Sequence, residues 1–468
     1  MKLSIFAFPA LFIATLLMLT ATGFFNTYVS LYLDKLNVST ILIGANIACY
    51  YFGMVLGAKI GQLLIAFFGH IRTFVACAGI CTIVILAHIL IQHIYLWMGF
   101  RFILGMAMMA QYMVIESWLN EQSDSKNRGA VFSGYMIAVN MGLILGQYFL
   151  RYLPELSITQ LVIVAMLFAG SLIPVATTRK IHPNAIIVAP LEIRYFLKTT
   201  TPALLTVAVG GMLVGSFFGL APIYAQSAGF SVNDSSQFIA VAIIAGFLVQ
   251  WPMGWLSDRV NRTKLIQVNA CLLAFLSIPL WFGAYWSEII LLVIIFAVGV
   301  FLFTLYPIAV ALANDNIAST KRVALSGLLL AIFGVGAGIG PIASGIVMDY
   351  FSAKALFVVF FVMGLALFGL LFILKSNPCE EIEEGIEKTA HVPEYPMSSA
   401  ILDPRIEPET VPDEAKIILD HIEPRETEVP TSIDEQSSKQ MLSDSNTDAE
   451  NSQFTDESGE LKNDKKHE

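Results

Sequence analysis

Charge is scarce in this sequence: Lys, Arg, Asp and Glu make up 13% of the 468 residues, while apolar side chains make up 56%. A soluble globular domain is roughly one-quarter charged, so water is not the main solvent of this chain. Pairing patterns are missing too. The five cysteines, Cys49, Cys77, Cys81, Cys271 and Cys379, are scattered. They form neither a disulfide framework nor metal-ligand spacing, and Cys77 and Cys81, one helical turn apart, have no His or carboxylate neighbours to complete a metal site. There is no Walker sequence, no dinucleotide fingerprint and no nucleophile placed with a base. The expectation is a chain that is not an enzyme, takes no cofactor and does not drive transport with ATP on its own.

The charges that do occur are unevenly placed. Residues 1–375 hold 19 Lys/Arg against 11 Asp/Glu, whereas residues 376–468 hold 8 against 25. The formal net charge of −9 therefore describes neither part. The segment 376–468, rich in Glu, Asp, Pro and Ser and poor in aromatics, reads as an acidic, disordered, solvated tail.

What abounds is long apolar runs. Crossing about 30 Å of hydrocarbon takes about 20 apolar residues, because a helix satisfies its own backbone there. Twelve such runs are found, at about 5–33, 40–68, 71–93, 95–118, 129–152, 158–177, 202–226, 235–257, 264–285, 287–313, 323–348 and 353–374. The first begins like a signal peptide, with Lys2 before Leu3–Thr20, but it stays apolar to Leu33 and is read as a membrane span.

With the N-terminus placed in the cytoplasm, the inner loops and helix ends carry fourteen Lys/Arg and the outer ones three, Lys35, Arg151 and Lys354. That bias predicts both termini cytoplasmic. The loop 178–201, with Arg179, Lys180, Arg194 and Lys198 among prolines, reads as a cytoplasmic linker between a first half, 1–177, and a second half, 202–375. A basic loop beside anionic lipid needs no nucleic-acid partner to explain it.

Set against itself at an offset of 192–194 residues, the chain repeats. Gly23, Phe25, Tyr32 and Ser39 fall on Gly215, Phe217, Tyr224 and Ser231; Gly105, Tyr112, Asn120 and Glu121 on Gly299, Tyr306, Asn314 and Asp315; Arg128, Gly142 and Gly146 on Arg322, Gly336 and Gly340. Two six-helix units in parallel orientation predict a central pathway that changes access as one half rocks against the other. The expected fold is an all-α membrane protein of twelve transmembrane helices in two pseudo-symmetric six-helix bundles.

Between spans eight and nine, Gly254-Trp-Leu-Ser-Asp258-Arg259-Val-Asn261-Arg262 resembles the major facilitator signature G-x-L-x-D-R-x-G-R, with Asn in place of the second Gly. Arg101-Phe-Ile-Leu-Gly105 resembles the R-x-x-x-G motif of span four in that superfamily, and Gly336-x-x-x-Gly340-Pro341 stands in span eleven. Longer stretches, Glu116-Ser-Trp-Leu-Asn120 through Asn127-Arg128-Gly129, Gln250-Trp-Pro-Met-Gly254 and Phe303-Thr-Leu-Tyr-Pro307, are similar to the bacterial YcaD-like branch. The resemblance covers about residues 5–375 and implies the major facilitator fold in a bacterial inner membrane. Two departures matter. Ala66 stands where the first-half loop signature has its acid, and span five reads Gly142-x-x-x-Gly146-Gln147, without the proline of the drug-antiporter motif.

Arg101 lies inside span four, where an ionised side chain costs at least about 3 kcal/mol unless paired or hydrated. Its two readings are a cavity-facing functional group and an arginine that snorkels or bonds neighbouring carbonyls. Glu116 follows fifteen residues later, about 60° around the helix. It is read either as a proton carrier or as a structural partner of Arg128 or Lys126. By resemblance, Asp258 with Arg259 and Arg262 forms a gating latch against the start of span five near Arg128. Asn26 and Thr27, Gln111 and Tyr112, Tyr224, and Thr304 and Tyr306 are candidates for the pathway, because spans one, four, seven and ten line the cavity in the superfamily. Gly334, Gly336, Gly338 and Gly340 are read as close-packing positions.

The leading functional reading is secondary active transport of a small organic solute, proton-coupled, by a monomer in the lipid bilayer, as a symporter or an antiporter. The competing reading is a non-transporting transceptor that signals through the acidic tail.

Overall fold

In hydrocarbon a polypeptide has no water to bond its backbone, and the helix is the local solution. The computed structural model describes residues 7–123, 128–153, 156–177, 193–315, 317 and 321–374, all within one compact unit, Met1–Thr410. The helices are α1 (Ala7–Lys35), α2 (Thr40–Phe68), α3 (His70–Leu90), α4 (Ile94–Gln122), α5 (Arg128–Tyr152), α6 (Ile158–Ala176), α7 (Ile193–Thr199), α8 (Thr201–Ser227), α9 (Val232–Ser257), α10 (Arg262–Trp281), α11 (Glu288–Asp315), α12 (Arg322–Tyr350) and α13 (Leu356–Ile373). All but α7 coincide with helices long and apolar enough to cross a membrane, twelve in number. The fold is the expected all-α membrane architecture of two related six-helix bundles.

Helix ends follow the sequence. Ser39 and Ser231, paired by the repeat, are both N-caps, accepting from the amides of Leu42 and Asp234. Asn261, the residue that replaces a signature glycine, caps α10 by accepting from the Lys264 amide at 3.0 Å. Between α2 and α3 there is a single residue, Gly69, at φ 78°. That left-handed backbone is where glycine carries no Cβ penalty.

One element departs from the sequence reading. Residues 193–199, assigned to the linker loop, form the short helix α7. The buried Phe196 anchors it to the bundle, and Tyr195 presents its ring to the Lys321 ammonium at 4.1 Å from the centroid. Seven residues are too few to announce helical periodicity. Residues 178–192 and the acidic segment 376–468 lie outside the described residues.

The repeat is physical. In the first half α1 packs on α5, α2 on α4 and α3 on α6; in the second α8 packs on α12, α9 on α11 and α10 on α13. The aligned glycines make equivalent close approaches. A Cβ on Gly146 would lie 2.5 Å from the Thr20 carbonyl oxygen, and one on Gly340 would lie 2.1 Å from that of Met212. Gly105 approaches α2 at the Tyr50 carbonyl, and Gly299 approaches α9 at the Ala242 carbonyl, at 2.0 and 2.6 Å by the same measure. Small residues let helix backbones touch where lipid offers no hydrophobic drive to associate. Gly334 and Gly338, on another side of α12, instead make room for the side chains of Val55 and Phe52 of α2.

Among the described residues the two most extensive seams between the halves are α2 with α12 and α5 with α9, with α8 also meeting α1 and α2, and the repeat interchanges the two main seams. At the face opposite α7 each is pinned by a carboxylate. Asp349 at the end of α12 accepts from the Thr40 amide and hydroxyl at 2.8 and 2.7 Å, and Arg151 at the end of α5 reaches Gln237 and Asp234 at the start of α9. Among the described residues α4 and α11, which mirror each other across the repeat, share no comparable seam.

Candidate functional site

Where the two halves meet near the middle of their helices they leave a cavity of about 50 Å³. The first half lines it with Leu19, Thr22 and Asn26 of α1, Tyr50, Tyr51 and Met54 of α2, Tyr112 of α4 and Leu143 of α5. The second half contributes Val214 and Phe218 of α8 and Phe333 of α12. Every polar group on the lining comes from the first half.

Behind that polar wall stands Arg101, seven residues into α4 and only 1% exposed. Its Nη1 donates to Asn26 Oδ1 at 2.6 Å and its Nε to Asn46 Oδ1 at 3.2 Å. The guanidinium carbon sits 4.4 Å from the centre of the Phe25 ring and 5.9 Å from that of Tyr50. All of these partners are neutral. Arg101 Nη2 and Asn46 Nδ2 have no hydrogen-bond acceptor, and no acidic side chain among the described residues pairs with this cation.

Glu116 is on the same helix, about 22 Å further along at 1.5 Å per residue, and is fully buried. The Tyr135 hydroxyl of α5 donates to its Oε1 at 3.1 Å. One turn back lies Tyr112, which lines the cavity. Next to it in sequence, Ser117 bonds His70 Nε2 at 2.9 Å. The stripe Arg101–Tyr112–Glu116 thus runs from the cation, past the cavity, to a buried acid.

Of the other residues singled out in the sequence, Asn26 and Tyr112 face the cavity. Thr27 turns to α5, donating to Gln147 Oε1 at 2.9 Å. Gln111 turns to α3 and donates to Cys81 Sγ at 3.1 Å. Tyr224 donates to the Leu280 carbonyl and packs edge-on against Phe357. Thr304 accepts from Asn269 Nδ2 at 2.9 Å inside the second half. Tyr306 is buried against Phe333, its hydroxyl without a partner. Asn46, Tyr50 and Tyr51 were missed: α2 is not among the spans the resemblance points to, and tyrosine is common at membrane interfaces.

At the α7 face, Arg262 pairs with Asp258 at 2.8 Å and with Asp315 at the end of α11. Arg259 instead stacks its guanidinium on Trp255, 3.8 Å from the ring centre. These contacts are all within the second half. The approach of Asp258 to Arg128 falls on a side chain outside the described residues.

Among the described residues no cluster of His, Cys, Asp or Glu has the makings of a metal site. The architecture is matched by known proteins. The chain is 28% identical to an uncharacterized MFS-type transporter of Enterobacter sp. over 78% of its length and 95% of the relative's. It is equally similar, over the same shares, to the uncharacterized MFS-type transporter YcaD of Shigella flexneri. Among solved structures, the nucleoside transporter NupG superposes with a TM-score of 0.64 at 18% identity, covering 80% of this chain and all of that one. A bacterial homologue of the human lysosomal transporter Spinster, in an inward-facing occupied conformation, gives 0.64 at 15% identity over 80% and 97%. At those identities the likeness is one of fold. The profile of the Major Facilitator Superfamily matches residues 11–318 and 270–421, and the chain belongs to that superfamily of transporters.

Proposed function

We propose that this transporter carries a small organic solute through the central cavity by alternating access, with the Arg101 cluster as its binding centre and Glu116 as the group that couples transport to protons. The observation that carries this reading is the cavity itself. It lies between the two bundles near mid-helix, with a buried cation behind one wall and a buried carboxylate one turn beyond Tyr112. A rocking motion about the α2–α12 and α5–α9 seams exposes such a site to either side in turn. A carboxylate bonded to a tyrosine hydroxyl in a dry site holds or releases a proton according to which side wets it.

The excess of Lys/Arg at the α7 face makes that face cytoplasmic, with both termini inside and the chain in the bacterial inner membrane. The Thr40–Asp349 and Arg151–Asp234 contacts then close the outer side. Asp258, Arg259, Arg262 and Arg128 belong to the opposite, inner gate. Residues 1–177 and 202–375 are the rocking bodies, 178–201 their tether and 376–468 a solvated tail, and a monomer suffices. Counterflow of labelled solutes in proteoliposomes tests the reading. Exchange across the membrane, driven further by a pH jump, is expected, whereas binding without flux replaces the transporter reading with a transceptor.

A further inference from the structure

Resting on that reading of the cavity, we infer that the solute is an amphipathic organic monoanion. It carries one carboxylate-like head, taken by the Arg101–Asn26–Asn46 cluster, and an aromatic or branched apolar body, held by the wall that the second half supplies.

The head follows from charge balance. A guanidinium taken out of water needs a counter-charge, and Arg101 has only two amide oxygens and two aromatic rings. The one acid on its own helix face, Glu116, is about 22 Å away along the axis. Two donors on touching side chains, Arg101 Nη2 and Asn46 Nδ2, are buried without acceptors. Unsatisfied buried donors beside an uncompensated cation describe a receptor for an anionic acceptor. Asn26 is the way in. Its amide oxygen occupies the position on Nη1 that a carboxylate oxygen would take, and it lines the cavity, so a rotamer change admits the solute's head. The count of one charge follows from the lining, where no Lys or Arg stands. A second negative charge finds no partner there.

The body follows from the lining. Leu19, Leu143, Val214, Phe218 and Phe333 offer no side-chain donor or acceptor, and Met54 only a weakly accepting sulfur. A sugar's hydroxyls set against those apolar side chains are left without partners, and burying them so is costly. An organic cation meets Arg101 with like charge.

The test uses the full-length protein in detergent, with melting temperature and calorimetric titration as readouts. The probes are 4-phenylbutyrate, its isosteric amide, 4-phenylbutylamine, uridine and inorganic phosphate. Phenylbutyrate is expected to stabilise the protein and to bind at least about tenfold tighter than the amide, as loss of a charged hydrogen bond implies. Asn46→Asp places a carboxylate on the Arg101 Nε from inside the protein. It is expected to weaken phenylbutyrate about tenfold while the ligand-free protein melts no lower than its parent, an outcome that misfolding does not mimic. The anion assignment is overturned if the amide, the amine or uridine binds as tightly as the carboxylate, if phosphate alone reproduces the shift, or if phenylbutyrate gives none. Phe218→Ala, on the opposite wall, separates the two levels. A neutral or cationic probe that it weakens overturns the anion and leaves the cavity reading in place. Probe binding indifferent to both Phe218→Ala and Asn46→Asp overturns the cavity reading itself.

Discussion

The two halves share a scaffold and differ in chemistry. Positions where backbones touch are kept across the repeat: Gly105 and Gly299, Gly142 and Gly336, Gly146 and Gly340. Positions that carry polarity are not kept. At the repeat offsets Asn26 falls on Phe218, Asn46 on Phe238, Arg101 on Ile295 and Glu116 on Val310. The contrast is physical. A helix–helix contact at backbone distance admits only glycine, whereas a wall facing a cavity tolerates any side chain the solute tolerates. On the proposed reading, one bundle is the recognition half and the other an apolar counter-wall against which it closes.

The largest effect is expected where the halves agree. Gly146→Leu and Gly340→Leu each drive a side chain into a carbonyl, of Thr20 and of Met212 respectively. Both should destabilise by about 3 kcal/mol or more, read as a matching fall in melting temperature and in monodisperse yield. Tolerance of one and not the other would break the equivalence of the scaffolds.

A smaller effect sharpens the chemical contrast. Asn26→Phe copies the second half's residue into the first and removes the acceptor 2.6 Å from Arg101. It should cost about 1.5–3 kcal/mol of stability and abolish solute binding. The reverse change, Phe218→Asn, should lower stability by about 1–2 kcal/mol as an unpaired amide enters an apolar wall, while leaving a binding site. Equal loss of binding in both would place recognition in both halves.

The smallest effect is at Gly369, in the C-terminal part of α13. A Cβ there meets nothing within 4 Å, so Gly369→Ala should stabilise by about 0.5–1 kcal/mol through helix propensity alone, measured as a small rise in melting temperature.

Much of the fold was legible because each span is a long apolar run, most of them bounded by charges, and length alone counts them. α7 was not legible, since seven residues flanked by prolines carry no periodic signal. Within the site, Arg101, Glu116, Asn26 and Tyr112 stood out as polar residues in apolar surroundings. The choice of face did not follow from sequence. Asn26 and Thr27 are neighbours separated by 100° of helix rotation, and only packing shows that one lines the cavity while the other bonds Gln147. The apolar wall, Phe218 and Phe333 among it, was invisible because a cavity-facing phenylalanine reads the same as a lipid-facing one.

The central claim is that coupling resides in the first half, at Glu116, and the direct measurement compares two activities of Glu116→Gln in proteoliposomes. Glutamine keeps the shape of the protonated acid and cannot release a proton. Solute exchange at equal pH on both sides should persist within about threefold of the parent, while accumulation driven by a pH jump should fall to background. Val310→Ala, at the matching place in the second half, should leave both intact. Full pH-driven accumulation by Glu116→Gln would remove Glu116 from the coupling mechanism. Parallel loss of exchange and accumulation would make it a structural partner of its neighbours.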